Sequence, residues 1–208
     1  MKTEQEYIRD LTEIRSMMER SAKFLSLTGW SGIMAGIYAL AGAYIAWKLF
    51  CFNPDDIIYQ STGRQVISAN DLYLLLLALL ILVLAVGTAI FLSYRKSKGN
   101  GERLWNPAAR RLVINMAIPL GTGGVFIIIL LLKGLAGLII PVTLIFYGLA
   151  LLNASKFTYE EVKYLGIIEI ILGLAASYFV GYGLLLWATG FGVMHIIYGI
   201  FMHLKYET

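Results

Sequence analysis

The chain has 208 residues, 59% of them hydrophobic and only 14% charged, with a mean hydropathy of +0.73, a balance that excludes an ordinary soluble domain. The formal charge of +4 is what retention of Lys and Arg on the cytoplasmic side of a membrane produces, so no nucleic-acid partner is expected. A single cysteine, Cys51, excludes an intrachain disulfide and any CxxC redox or zinc pair, and leaves only pairing between chains.

Residues 1–28 form the first unit, read as a cytoplasmic amphipathic helix. Tyr7, Leu11, Ile14, Met18, Ala22 and Leu25 recur at steps of three and four, and pairs such as Arg9 with Glu13 and Glu19 with Lys23 support the helix. Its charges cancel, so packing on a protein surface is expected in preference to attraction by anionic lipid. Ten charges precede the first apolar block, which argues against a cleavable signal peptide and keeps the first span in the mature protein.

Residues 29–208 are read as an all-α, polytopic membrane domain of six transmembrane helices in three hairpins. Spanning hydrocarbon takes about 20 residues of helix, and six blocks qualify: 29–50, 72–92, 112–132, 135–152, 164–180 and 184–204. Asn106 followed by Pro107 is an N-cap signal for the third helix. Thr158 with Glu161 has the spacing of a capping box before the fifth, and Phe157 with Val162 that of a hydrophobic staple. With the N-terminus inside, the inner segments hold 14 Lys and Arg and the outer ones hold three, Lys48, Arg64 and Lys133. This asymmetry predicts both termini in the cytoplasm. Outside the membrane there is one longer loop, 51–71, and two tight turns, which leaves no room for an external soluble domain.

Glu169 and His195 are the ionisable residues deepest inside the spans, and such groups are expensive enough in lipid to count as candidate functional residues. Each lies about nine residues, or about 13 Å, from the cytoplasmic end of its helix, so an antiparallel hairpin brings them level. Gly166 and Gly173 frame Glu169 as Gly192 and Gly199 frame His195, and Gly32 and Gly36 give the first helix a similar stripe. These glycines are expected to permit close helix packing. Asn115, Pro119 and Thr122 in the third helix complete the candidate ligand or proton site, because Pro119 removes the hydrogen-bond donor for the Asn115 carbonyl. A plainer reading stands beside this one: Glu169 and His195 lock two helices together, and the glycines only pack. Lys133 and His203 read as interface residues that snorkel.

No catalytic residue, metal site or cofactor is expected. His195 and His203 are eight residues apart on one helix, about 12 Å along its axis, so one iron cannot take both. Asp55 and Asp56 have no further acidic partners, and there is no HExxH, GxSxG or P-loop. Ile145-Phe146-Tyr147-Gly148 echoes Ile196-Ile197-Tyr198-Gly199, a faint internal repeat.

At Tyr7-Ile8-Arg9-Asp10-Leu11, Arg103-Leu104-Trp105-Asn106-Pro107, Asn115-Met116-Ala117-Ile118-Pro119 and His195-Ile196-Ile197-Tyr198-Gly199, the chain resembles a family of small six-helix bacterial inner-membrane proteins for which no activity is established. The resemblance implies a multi-pass protein of the bacterial inner membrane and carries no site residue with it. Two functions remain open. One is a small transporter, channel-like or ligand-binding membrane module with an intramembrane Glu/His site. The other is an anchor or regulator that presents residues 4–26 to a cytoplasmic protein partner or a second copy. Homo-oligomerisation in the bilayer is expected, and the second span, almost wholly Leu, Ile, Val and Ala, is expected to face lipid at the bundle edge.

Overall fold

A computed structural model describes residues 23–49, 69–101 and 103–208. The bulk of the expected amphipathic helix, together with Cys51, Asp55, Asp56 and Arg64, lies outside the described residues. All regular structure among them is helical: α1 (Gly29–Leu49), α2 (Ala69–Gly99), α3 (Pro107–Leu132), α4 (Ile139–Ala154), α5 (Glu161–Tyr178), α6 (Gly183–Trp187) and α7 (His195–Tyr206). A π-helical turn, Ala188–Met194, joins α6 to α7, so the three pieces make one long final helix.

Among the described residues five helical stretches are long and apolar enough to cross a membrane: Gly29–Leu49, Leu72–Gly99, Pro107–Leu132, Ala136–Phe157 and Val180–Tyr206. The fifth expected span, 164–180, corresponds to α5, whose 18 residues leave no stretch of that length free of Glu161, Lys163 and Glu169, whereas the other five each offer 18 residues with at most two such charges.

Local chemistry accounts for several boundaries. Asn106 Oδ1 accepts from the Ala109 N–H at 2.8 Å and Pro107 occupies the first turn, as the sequence indicates. At the other end of α3, Gly134 adopts φ +70°. Its N–H bonds the Leu131 carbonyl and that of Leu135 bonds Leu130, a Schellman closure that needs a residue free of a Cβ penalty. The start of α5 departs from expectation, because it makes no side-chain cap hydrogen bond. Thr158 Oγ1 instead donates to the Phe24 carbonyl at 2.7 Å, and Glu161 accepts from Lys205 and Tyr206. Tertiary partners have taken the groups that a capping box would use. Pro119 leaves α3 continuous through its position.

The helices pack as two slabs. One is α3, α4 and α5 with α4 in the middle; the other is the final helix, α1 and α2 with α1 in the middle. The slabs meet where α4 and α5 touch α6 and the π-helical turn. The closest packing therefore lies between α4 and α5 and between α1 and the final helix, while the final hairpin, α5 with α6 and α7, forms the seam. Glycines explain both close contacts. A Cβ on Gly148 would lie 2.6 Å from the Gly166 carbonyl oxygen, and one on Gly199 would lie 2.5 Å from that of Gly29, distances that only a missing side chain allows. Gly148 and Gly199, the glycines of the faint repeat, thus perform the same packing task in each slab. At the edge, α2 touches α1 and leaves its Leu and Val side chains exposed.

The buried apolar core sits at the end of the bundle where α3 and α5 begin and α4 ends. Phe24 is inserted there among Ala108, Ala109, Leu151, Val162 and Met202. Residues 23–28 cross this end as a strap, held by the Phe24 N–H on the Phe157 carbonyl at 2.7 Å and by the Tyr159 hydroxyl on the Leu25 carbonyl at 2.7 Å.

Candidate functional site

Glu169, on α5, is fully buried and His195, the first residue of α7, is 5% exposed. They face each other across the seam, with Glu169 Oε1 3.4 Å from His195 Nδ1. The depth matching read from the sequence thus corresponds to a spatial pair. Their framing glycines point elsewhere. Gly166 and Gly173 accommodate α4, against Gly148 and Ile145, whereas Gly192 and Gly199 accommodate α1, against Leu40 and Gly29, where Gly32 and Gly36 provide the complementary recess. Each glycine stripe fastens its helix into its own slab and leaves the ionisable side chain to reach across.

The hydrogen bonding of the pair is lopsided. His195 Nδ1 lies 3.0 Å from the Gly190 carbonyl oxygen, which can only accept, so this nitrogen carries the proton. Nε2 lies 2.8 Å from the Tyr147 hydroxyl, which donates to it when the imidazole is neutral. Glu169 has no such arrangement: both carboxyl oxygens are buried and lack a hydrogen-bond partner. Burying a carboxylate without donors is among the most costly arrangements a protein can adopt. A structural lock would direct the imidazole N–H onto the carboxylate, and here the N–H is directed onto Gly190.

The π-helical turn makes this geometry available. Its wider turn places the Gly190 carbonyl against the imidazole five residues on. Gly190 also leaves the space that Glu169 fills, since a Cβ there would lie 2.5 Å from Oε2 and 2.9 Å from Leu144 Cδ2. Aromatic rings close the other side. Phe191 lies parallel to His195 at 5.8 Å, Tyr147 stacks on His195 at 5.4 Å, and Trp187 is 5.0 Å from Phe191.

The third helix does not join this cluster. It packs on α4; Asn115 Nδ2 donates to the Arg111 carbonyl and Thr122 Oγ1 to the Ile118 carbonyl, each within its own helix. Pro119 is buried, and Thr122 borders a separate apolar groove with Val125, Phe126, Ile129 and Phe146. Sequence reasoning groups these residues with the pair by depth, and depth alone does not say which side of α4 a helix occupies. Reasoning from sequence also misses Tyr147 and Gly190. The faint Tyr-Gly repeat is the available signal for Tyr147; the small-residue run Ala188-Thr189-Gly190 gives none for the π-helical turn.

At the strap end a second polar cluster forms around Glu207. Its carboxylate accepts from the Gly29 N–H at 3.1 Å, Lys96 Nζ at 3.2 Å and His203 Nδ1 at 2.7 Å, and so gathers the start of α1, the end of α2 and the end of α7. Burial raises its pKa, and the hydrogen bonds from His203, Lys96 and Gly29 outweigh that, leaving the group below the ordinary glutamate range. His203 is thus tied down as well as set at the helix end. Nearby, a cleft of about 610 Å³ is bordered by Lys96, Tyr159, Glu161, Lys205 and Tyr206. Among the described residues no three His, Cys, Asp or Glu side chains gather as a metal site would require.

No family model matches the chain, and neither a curated protein nor a solved structure matches it.

Proposed function

We propose that the chain is a six-span protein of the bacterial inner membrane, with the strap end in the cytoplasm, that loads and unloads a proton at Glu169 and His195 to drive a small transport or ligand-binding change. The orientation rests on the 14 to 3 distribution of Lys and Arg. The single observation that carries the function is the fully buried Glu169 carboxyl, both oxygens unpartnered, at the seam between two slabs. Unloaded, a Glu169 carboxylate stands beside a neutral His195 bonded to Gly190 and Tyr147. Loading one proton leaves Nε2 protonated and moves the Nδ1 proton to Glu169, so that Nδ1 turns to the carboxyl and releases the Gly190 carbonyl, which changes the contact on which the slabs hinge.

The test is a variant in which Trp187 is the sole tryptophan, held in nanodiscs, with its fluorescence followed on acidification. A pH-dependent change is expected that Glu169→Gln abolishes while the protein stays folded. The same pH response in Glu169→Gln would remove Glu169 from the mechanism.

One observation favours a second reading, an anchor or regulator working through residues 4–26 and a cytoplasmic partner. Phe24 and Leu25 are bonded to the loop that precedes α5, so a partner holding the preceding residues would pull on the bundle. Deleting residues 1–22 spares the strap; loss of a co-purifying partner with the Trp187 response intact would support the anchor.

A further inference from the structure

The Glu169 and His195 pair lies below the surface, and a proton-driven role requires protons to reach it. Tyrosine hydroxyls occupy the interval. On the final helix His195, Tyr198 and Tyr206 stand at i, i+3 and i+11, one face of a helix, spanning about 16 Å along the axis. Tyr147 of α4 bonds His195 Nε2 at 2.8 Å. Tyr147 and Tyr198 both pack on the apolar core that contains Tyr159 and Met202, and Tyr198 lies within electrostatic range of Tyr147 on one side and of Glu161, Tyr159 and Tyr206 on the other. Tyr206 donates to Glu161 Oε1 at 2.8 Å, and both residues border the 610 Å³ cleft.

We infer that Glu161, Tyr206, Tyr198 and Tyr147 form a proton path from that cleft to His195 and Glu169. This rests on the functional reading given above and deepens it. A proton taken up at Glu161 moves by exchange: each hydroxyl accepts a proton on oxygen and passes its own onward, with short chains of water bridging steps longer than a hydrogen bond. Tyr147 gives its proton to His195 Nε2, and Nδ1 releases one across the 3.4 Å gap to Glu169 Oε1. Every relay group ends with the protons it began with, and Glu169 gains one. Tyr159 stands aside, because its hydroxyl proton is held by the Leu25 carbonyl. The groups facing the ends of the path are His195 and Tyr147 at Glu169 and Lys205, Tyr206, Tyr159 and Tyr198 at Glu161. Lys23, Lys96 and Glu160 line the mouth.

The experiment is a pH jump on the full chain in nanodiscs, read by time-resolved infrared absorption of the protonated carboxyl, with the Glu169 band assigned by its loss in Glu169→Gln. Tyr147→Phe and Tyr198→Phe are expected to slow the rise of that band by about tenfold or more while leaving its final amplitude unchanged. Tyr198→His, which restores a proton carrier, should recover most of the rate. Tyr38→Phe, on α1 and bonded to Thr88, should leave it unchanged. An unchanged rate in Tyr198→Phe overturns the path, even if Tyr147→Phe is slow, and leaves the functional reading standing. Absence of any Glu169 band that follows pH overturns both.

Discussion

Gly190 and Glu169 occupy the same space by agreement of size, and each substitution there has a defined cost. Gly190→Ala places a methyl group 2.5 Å from the carboxyl oxygen, an overpacking expected to destabilise the protein by about 1–3 kcal/mol, read as a lower melting temperature in detergent. Glu169→Gln behaves differently. Were the pair an ion-paired lock, breaking it would cost about 3–5 kcal/mol; with both oxygens unpartnered, the amide is expected to melt at or above the parent temperature. A fall of that larger size would favour the lock. The candidate residues themselves were legible in the sequence because an ionisable group inside an apolar block stands out locally. Tyr147 was not, because a tyrosine in a membrane helix is ordinary until its hydroxyl is seen to meet an imidazole 48 positions away.

At the scale of the helix, glycines separate into those that touch and those that do not. Gly148, Gly166 and Gly199 meet neighbouring backbone, whereas at Gly87, Gly121 and Gly124 an added Cβ would find nothing within 4 Å. Gly199→Leu and Gly148→Leu should therefore force apart the helices within their own slabs, lowering the melting temperature by an amount matching the upper part of the overpacking range, about 3 kcal/mol or more. Gly87→Leu and Gly124→Leu should change it by less than about 0.5 kcal/mol. Equal losses in both sets would refute the glycine-packed slabs. The helix ends divide in the same way. Asn106 and Gly134 act within their own turns and could be read directly, but Thr158 and Glu161 were drawn off by Phe24, Lys205 and Tyr206, partners that no local spacing reveals.

For the whole molecule, the strap and the Glu207 cluster tie three helices at one end. Phe24→Ala empties a position in the buried core and should cost about 3–5 kcal/mol. Because Glu207 has a lowered pKa in the fold, its contribution is complete above the unfolded value of about 4.3 and is lost as pH falls through the lower, folded value. Thermal melts below that pH should show the loss in the parent and a smaller one in Glu207→Gln. The sequence by itself determined the all-helical class, helices apolar enough to cross a membrane and the placement of Glu169 and His195 inside apolar helices. These are local properties, since a helix in hydrocarbon satisfies its backbone within its own segment and its length follows from hydropathy. Only the tertiary structure decided which helices are partners, that the last hairpin is a seam, and that α3 stands apart from the pair. Lipid supplies no hydrophobic preference for one apolar helix over another, so those choices are made by glycine recesses and single hydrogen bonds whose partners lie far away in the chain.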